Sequence, residues 1–469
     1  MWGIKLHHRA EISLSRQIFL SLKERILTGQ MSQGEALPST RELAKSLGVS
    51  RNTVCAAYDT LLTEGFLVSR QGAPTRVAQG LHIEHRQAFR TESLPTQRKK
   101  PLVWWDFKTG QPDLSHFPWQ LWRQMLRQAA ENLPADQLGY SGPKGYEPLC
   151  QEIARWLLRS RSMEVKAEDV FITAGATQAL HLLTGLLYQE GQAFALESPS
   201  HPAIHTMAAS KGYPLHWMPV DQQGADIGAL TGKAISAVYV TPSHQFPLGG
   251  ILPADRRAAL IRLAVKNNFY IIEDDYDSEF RYSGSPVSPI YSMDCSQVVY
   301  VGTFSKTLFP ALRLGFAVLP KALQAKWKHA RTFTDVQNPI LEQAALAEFL
   351  HKRKLDKHVR RMRQLYGEKR KLLLRSVKGA FGSSVHPWGD VSGLHLALQF
   401  PGREFGEQFV RDSRQAGIKA VPLARYCPSQ TNHKDKLLLG YGHLSPGQIL
   451  EGIKALRQLL EKTGLFSPA

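Results

Sequence analysis

Cysteine is scarce in this chain: 469 residues hold four, Cys55, Cys150, Cys295 and Cys427. They are scattered, with no metal-ligand spacing and no paired framework, which excludes a zinc module and a disulfide-stapled fold and leaves free thiols. Long apolar runs are missing too. No stretch approaches the roughly 20 residues that span a bilayer, and Met1-Trp2-Gly3-Ile4-Lys5-Leu6-His7-His8-Arg9 has too short an apolar core for a secretory signal. A cytoplasmic protein with no membrane segment and no metal is expected. Acid is the third deficit, with 40 Asp and Glu against 58 Lys and Arg and a formal net charge of +18. A positive field of that size favours polyanionic partners while leaving the fold open. Hydrophobic residues make up 43% and charged residues 21%, a globular composition, and the length calls for at least two folding units.

The basic excess is uneven. Arg86, Arg90, Arg98, Lys99 and Lys100 crowd residues 86–100, within a stretch from Gln79 to Pro101 that loses apolar periodicity and reads as a linker. A second run over residues 352–378 includes Arg360, Arg361, Arg363, Lys369, Arg370 and Lys371. It reads as a solvated helix face, with a flank for DNA as the alternative.

Apolar Leu14, Ile18, Leu22 and Ile26 recur every fourth position, predicting a helix closed by Gly29. Ser39 and Glu42 stand in the spacing of a capping box at the start of a second helix, which Gly48 stops. Ser50 opens a third at once, with Val54, Ala57, Tyr58, Leu61 and Leu62 as its buried stripe. Two short helices across so tight a turn make a helix-turn-helix. Arg51, Asn52 and Thr53 then stand at the exposed start of the second of them, as side chains able to reach base edges, and Arg41 is placed to touch a phosphate. Phe66 to Arg70 and Thr75 to Val77 would pair as a wing around Gln71-Gly72-Ala73-Pro74.

On the strength of Leu37-Pro38-Ser39-Thr40-Arg41-Glu42-Leu43-Ala44 and Val49-Ser50-Arg51-Asn52-Thr53-Val54, residues 1–78 resemble the winged helix of the GntR family of bacterial regulators. The resemblance implies binding to double-stranded DNA through Arg41, Ser50, Arg51, Asn52 and Thr53, with Arg76 a candidate for the minor groove. Pro74 departs from the glycine usual at the wing tip; proline fixes φ and removes a donor, so the tip takes another shape.

Beyond Trp104 the pattern changes to short apolar runs separated by helical stretches: Val170 to Thr173, Ala193 to Leu196, Ala237 to Thr241, Tyr270 to Ile272, Val298 to Gly302 and Leu314 to Leu319. That predicts an α/β unit built on a mostly parallel sheet. Three of the runs end in chemistry. Gly175-Ala176-Thr177-Gln178 follows the first, Glu273-Asp274-Asp275-Tyr276 the fourth and Ser305-Lys306 the fifth. Parallel sheets place their ligands at such ends, and the set reads as the lysine, carboxylate and phosphate cradle of a pyridoxal 5'-phosphate site.

Phe107-Lys108-Thr109-Gly110-Gln111-Pro112-Asp113, Tyr140-Ser141-Gly142-Pro143-Lys144-Gly145, Glu197-Ser198-Pro199-Ser200-His201-Pro202 and Val240-Thr241-Pro242-Ser243-His244-Gln245-Phe246-Pro247 extend the match. With Glu273 to Phe280 they resemble the fold-type-I, pyridoxal-phosphate-dependent aminotransferase-like domain of the MocR subfamily. A multidomain chain follows: an all-α, winged-helix domain over 1–78, a linker over 79–101 and the aminotransferase-like domain over 102–469, its large part about 145–340 and its small part about 341–469. The resemblance implies Lys306 as the residue joined to the cofactor, Asp274 at the pyridine nitrogen and Tyr276 at the phenolic oxygen. It implies Gly175, Ala176, Thr177, Thr303, Ser305 and Arg313 around the phosphate, and His201 where relatives stack a tyrosine. Tyr140 would serve the phosphate of the neighbouring subunit, implying a homodimer.

One departure bears on activity. Aminotransferases grip a substrate carboxylate with an arginine two residues before the glycine of Leu437-Leu438-Leu439-Gly440-Tyr441, where this chain has Leu438. Lys436, Arg425 or another residue would have to substitute, or the effector is no ordinary amino acid, with pyridoxal phosphate itself as a candidate. The expected function is a transcription regulator that senses pyridoxal phosphate or its adduct with an amine or amino acid. The alternative is an active aminotransferase, with Lys306 as its catalytic residue, that carries a DNA-binding head.

Overall fold

The computed structural model describes residues 4–8, 10–81, 104–284, 287–389, 391–428 and 432–466. The chain divides into two compact units, Met1–Lys100 and Pro101–Ala469. Most of the predicted linker, with Arg86, Arg90, Arg98, Lys99 and Lys100, lies outside the described residues.

The first unit holds helices α1 (Leu14–Leu27), α2 (Thr40–Leu47) and α3 (Arg51–Thr63) and an antiparallel pair of strands, β1 (Leu67–Val68) and β2 (Arg76–Val77). Each helix starts on a serine, Ser13, Ser39 or Ser50, whose side chain accepts a first-turn backbone N–H. Ser39 and Glu42 form the full capping box, and Gly48 closes α2 at φ 66°, a left-handed conformation that glycine takes without strain. The buried face of α1 is Ile18, Phe19, Leu22 and Ile26, packed with Val54, Ala57, Tyr58 and Leu61 of α3. Phe19 joins the stripe and Leu14 is only half-buried, because a helix turns every 3.6 residues and a strict period of four drifts off the face.

In the second unit the elements run β3 (Trp105–Asp106), α4 (Trp119–Asn132), α5 (Glu147–Arg161), β4 (Val170–Thr173), α6 (Ala176–Leu186), β5 (Ala193–Ser198), α7 (Pro202–Ser210), β6 (Leu215–Asp221) and β7 (Gly224–Ala225). Then follow β8 (Ile235–Val240), α8 (Ala254–Asn267), β9 (Tyr270–Asp275), β10 (Val298–Thr303), β11 (Gly315–Val318), α9 (Lys321–Thr332), α10 (Ile340–His351) and the long α11 (Lys354–Phe381). The chain closes with β12 (His386–Trp388), β13 (His395–Gln399), α12 (Glu407–Gln415), β14 (Ile418–Lys419), β15 (Val421–Pro422), β16 (Lys436–Gly440) and α13 (Pro446–Lys462).

Eight strands form the large sheet in the order β4-β11-β10-β9-β8-β5-β6-β7. β10, β9, β8, β5 and β6 are parallel, while β11 runs against β10 and β4, and β7 against β6. Helices cover both faces, so the strands are apolar on both sides: Val298 and Tyr300 pack with Trp156, while Val299 and Val301 pack with Trp327. A second sheet, β12-β13-β16-β15, forms a smaller core with α11 and α13. β3 pairs with β14 beside it, so the first residues of this unit belong to the small core rather than to the large sheet.

Candidate functional site

Register brings the site together. Thr173 at the end of β4, Thr303 at the end of β10 and Gly315 at the start of β11 stand side by side. A Cβ on Gly315 would lie 2.8 Å from the Gly302 carbonyl and 2.9 Å from the Gly175 Cα, so these ends approach as closely as glycine allows. Asp274 on β9 is level with Val301 of β10, which leaves Lys306 just beyond the strand ends. Around them opens a cavity of about 270 Å³. Lys306, Asp274, Tyr276, Arg313, Thr303, Ser305, Ala176, Thr177 and His201 line it.

Burial is the largest influence on the Lys306 ammonium and pulls its pKa down, favouring a neutral amine. Its Nζ donates to the Gly110 carbonyl at 2.8 Å. A Cβ on Gly110 would sit 2.7 Å from that Nζ, and Gly110 has φ 69°, so glycine is required there. Asp274 is 7% exposed, and its Oδ2 accepts from the Tyr239 hydroxyl at 2.8 Å. Its Oδ1 is buried without a partner among the described residues. Burial pushes this carboxyl up to about 6, and a cationic N–H donor facing Oδ1 would bring it down again.

His244 Nδ1 lies 2.9 Å from Asp277 Oδ1 and 3.0 Å from the Tyr276 hydroxyl. If the ring N–H goes to the carboxylate, the stronger acceptor, the Tyr276 O–H remains free to donate into the cavity. Burial raises the Tyr276 pKa and keeps that proton in place. Where α6 begins, Gly175 turns at φ 80° and the backbone N–H groups of Ala176 and Thr177 have no helical acceptor. A Cβ on Gly175 would meet the Arg313 guanidinium at 3.1 Å. Arg313, itself at φ 53°, donates to the Ala174 carbonyl. Thr303 Oγ1 and Ser305 Oγ are 3.1 Å apart beside it. Helix N-terminus, guanidinium and two hydroxyls together form a cradle for an anion.

His201 caps α7 through Nδ1, which accepts from the Ala203 N–H at 3.2 Å, and its ring lies 5.5 Å from that of Phe246. Burial, then the Lys306 charge, lowers its pKa, so a neutral imidazole is presented. Tyr140 is elsewhere, 90% exposed on its own chain. Leu438 is fully buried with Leu248, Ala397 and Leu423 and does not line the cavity. Lys436 is committed to Asp435 at 3.0 Å and to the Trp388 ring at 4.9 Å. Arg425 pairs with Glu407 at 2.6 Å and borders a second cavity that also touches His201.

Sequence reasoning missed Gly110, Tyr239 and His395, which also line the cavity, and His244 behind Tyr276. Gly110 and His244 stood within recognised motifs without a role. Deeper in the site, Glu197 takes the Thr241 hydroxyl at 2.6 Å, and burial pushes its carboxyl up to about 7. The native state therefore holds a proton that the unfolded chain releases near the ordinary glutamate pKa of about 4.3. Stability should fall as pH rises from there to about 7. Unfolding free energies of the cofactor-stripped protein in urea are expected to drop over this window by about 2–4 kcal/mol more than those of Glu197→Gln; parallel curves would refute the buried proton.

In the first unit, Arg41, Arg51 and Asn52 are exposed, Arg41 on α2 and the other two at the start of α3. Arg51 Nε donates a long bond, 3.4 Å, to Thr40 Oγ1. Ser50 and Thr53 are tied to each other, through the Ser50 cap and a hydroxyl contact of 2.8 Å. Arg76 donates to the Gly34 carbonyl at 2.8 Å, which holds the wing against the loop before α2.

Residues 14–77 match the model of bacterial regulatory proteins of the gntR family, and residues 104–400 that of aminotransferase class I and II. The chain is 33% identical to the probable rhizopine catabolism regulatory protein MocR of Rhizobium meliloti, over 98% of this chain and 97% of that one. It is 31% identical to the pyridoxine biosynthesis transcriptional regulator PdxR of Corynebacterium glutamicum, over 94% of each. Among solved structures it is similar to Pyrococcus horikoshii kynurenine aminotransferase, with a TM-score of 0.71 and 25% identity over 78% of this chain and 92% of that one. It matches equally the α-aminoadipate aminotransferase LysN of Thermus thermophilus, complexed with N-(5'-phosphopyridoxyl)-L-leucine, with a TM-score of 0.71 and 25% identity over 78% and 94%.

Proposed function

Because the chain belongs to the GntR-type regulators of the MocR kind, with an aminotransferase class I and II domain, we propose that it binds double-stranded DNA as a homodimer and senses pyridoxal 5'-phosphate, alone or as its adduct with an amine. The observation that carries this is the buried, unpartnered Oδ1 of Asp274, in one cavity with a desolvated lysine and an anion cradle. A protonated pyridine nitrogen, a carbonyl and a phosphate meet those three needs in one molecule. Bound there, the cofactor supplies an electrophilic carbon that reacts with primary amines.

The chain's own residues divide the work. Lys306 provides the neutral amine that holds the cofactor, and Asp274 keeps the ring nitrogen protonated. Tyr276 donates to the phenolic oxygen while His201 stacks on the ring. The N–H groups of Gly175, Ala176 and Thr177, with Thr303, Ser305 and Arg313, hold the phosphate. Tyr140, exposed on its own chain, serves the pocket of a second subunit. Leu438 supports sensing over transamination, since no arginine stands there to orient a substrate carboxylate, an effect worth several kcal/mol in catalysis. PdxR, named for control of pyridoxine biosynthesis, supports a vitamin B6 effector.

Asp274→Asn keeps the shape of the site and removes the charge. It should weaken pyridoxal-phosphate binding by about 1.5 kcal/mol, roughly tenfold, measured by fluorescence titration; unchanged affinity would remove Asp274 from the ring nitrogen. The function itself is tested by footprinting DNA from upstream of the gene at fixed salt, with cofactor stripped and then restored. An effector acts only through its differential affinity for two states. A changed footprint or affinity is expected; an identical footprint with and without the cofactor rejects pyridoxal phosphate alone as the signal and moves the search to its amine adducts.

A further inference from the structure

Asp275 follows Asp274 on β9 and, because side chains alternate along a strand, it faces the other side of the sheet. There it accepts from the Tyr300 hydroxyl at 2.6 Å and from Arg161 Nη2 at 2.6 Å. Arg161 is the last residue of α5 and is 5% exposed. It borders a cavity of about 290 Å³ together with Arg159, Arg281, Arg360 and Arg363. Arg360 and Arg363 are exposed on α11, so the cavity communicates with solvent.

The counter-charges are too few. Asp275 answers Arg161, and Asp356 lies 3.5 Å from Arg159. Arg363 Nε spends its bond on the Glu279 carbonyl at 2.7 Å. Glu279 has its carboxyl in the same wall, where burial raises its pKa and the Arg161 charge lowers it. Five guanidinium groups therefore face three carboxyl groups, those of Asp275, Asp356 and Glu279. More telling are the idle groups: the donors Arg161 Nε, Arg281 Nε and Nη1, and Ser278 Oγ are buried with no acceptor among the described residues, four against the two idle acceptors Glu279 Oε2 and Asp356 Oδ2. A buried polar group left unpaired is costly, and water alone would leave the excess charge uncompensated.

We propose that this cavity is a second ligand site, which takes a small oxoanion, either inorganic phosphate or the phosphoryl group of a phosphate ester. Arg161 and Arg281 aim donors from the closed end, and Arg360 guards the entrance. A tetrahedral oxoanion offers several acceptors at once and is matched by guanidinium forks. The site is separate from the phosphate cradle around Arg313, on the opposite face of the sheet, yet the consecutive residues Asp274 and Asp275 tie the two together.

Isothermal titration calorimetry on the full chain tests it, with inorganic phosphate and glycerol 3-phosphate as probes in a chloride buffer of fixed ionic strength. Arg313→Ala is the background, so that the first cradle does not contribute. One equivalent of probe should bind, and adding Arg281→Ala should weaken it at least tenfold; Arg360→Ala, on an exposed helix face where folding is not at risk, should weaken it several-fold. Tighter binding of the ion assigns free phosphate and tighter binding of the ester assigns a phosphorylated metabolite, and both support the site. Loss of all binding on Arg313→Ala alone, or affinity unchanged by Arg281→Ala and Arg360→Ala, overturns it.

Discussion

Lys306→Ala protein is expected to lack the red-shifted aldimine absorption band that the wild-type chain acquires with pyridoxal 5'-phosphate. The reason lies in where the amine is held. Burial favours its neutral, nucleophilic form, and the Gly110 carbonyl 2.8 Å away fixes its position at the strand ends. Removing the amine leaves Arg313, Thr177 and the α6 N-terminus intact, so the variant should still bind the cofactor, but more weakly and without a covalent link. Borohydride reduction followed by peptide mass spectrometry separates the two situations. The wild type should carry the fixed cofactor on the peptide that contains Lys306, and the variant should carry none at any position. A variant that keeps the aldimine band, or a label on Lys108 in the wild type, would mean that the wrong lysine has been assigned.

Much of the lining of the candidate cavity was legible because those residues sit at strand ends. Lys306, Asp274 and the Gly175 turn each follow an apolar run of three or more residues, and a parallel sheet gathers such ends without further information. Tyr239 and His395 were not legible for the opposite reason. Tyr239 lies inside an apolar strand, and only the pairing of β8 with β9 shows that its hydroxyl reaches Asp274. His395 comes from the small sheet and meets the cavity through tertiary packing alone. In the first unit the caps at Ser39 and Ser50 are local chemistry and read directly from sequence. The bond from Arg76 to Gly34, 42 residues away, is not local, and it changes what that arginine has free to offer DNA.

That difference sets the expected behaviour of the head. Arg51→Ala should weaken binding to the specific operator by about 1–3 kcal/mol, as loss of a bidentate contact to a guanine does, and relax preference at one base pair. Arg51 stands at the exposed start of α3, where a helix-turn-helix presents side chains to the major groove, and its only intramolecular bond is the long one to Thr40 among the described residues. Arg41→Ala should instead weaken specific and non-specific DNA alike and lower the salt slope of log K by about 1, because a phosphate contact carries no sequence information. Arg76→Ala should change specificity little, since its guanidinium is already engaged by the Gly34 carbonyl, and its effect should appear as a loosened wing. Titrations of an operator and a scrambled duplex at several salt concentrations distinguish the three. If Arg51→Ala leaves the ratio of the two affinities unchanged while Arg76→Ala collapses it, the wing rather than α3 reads the sequence.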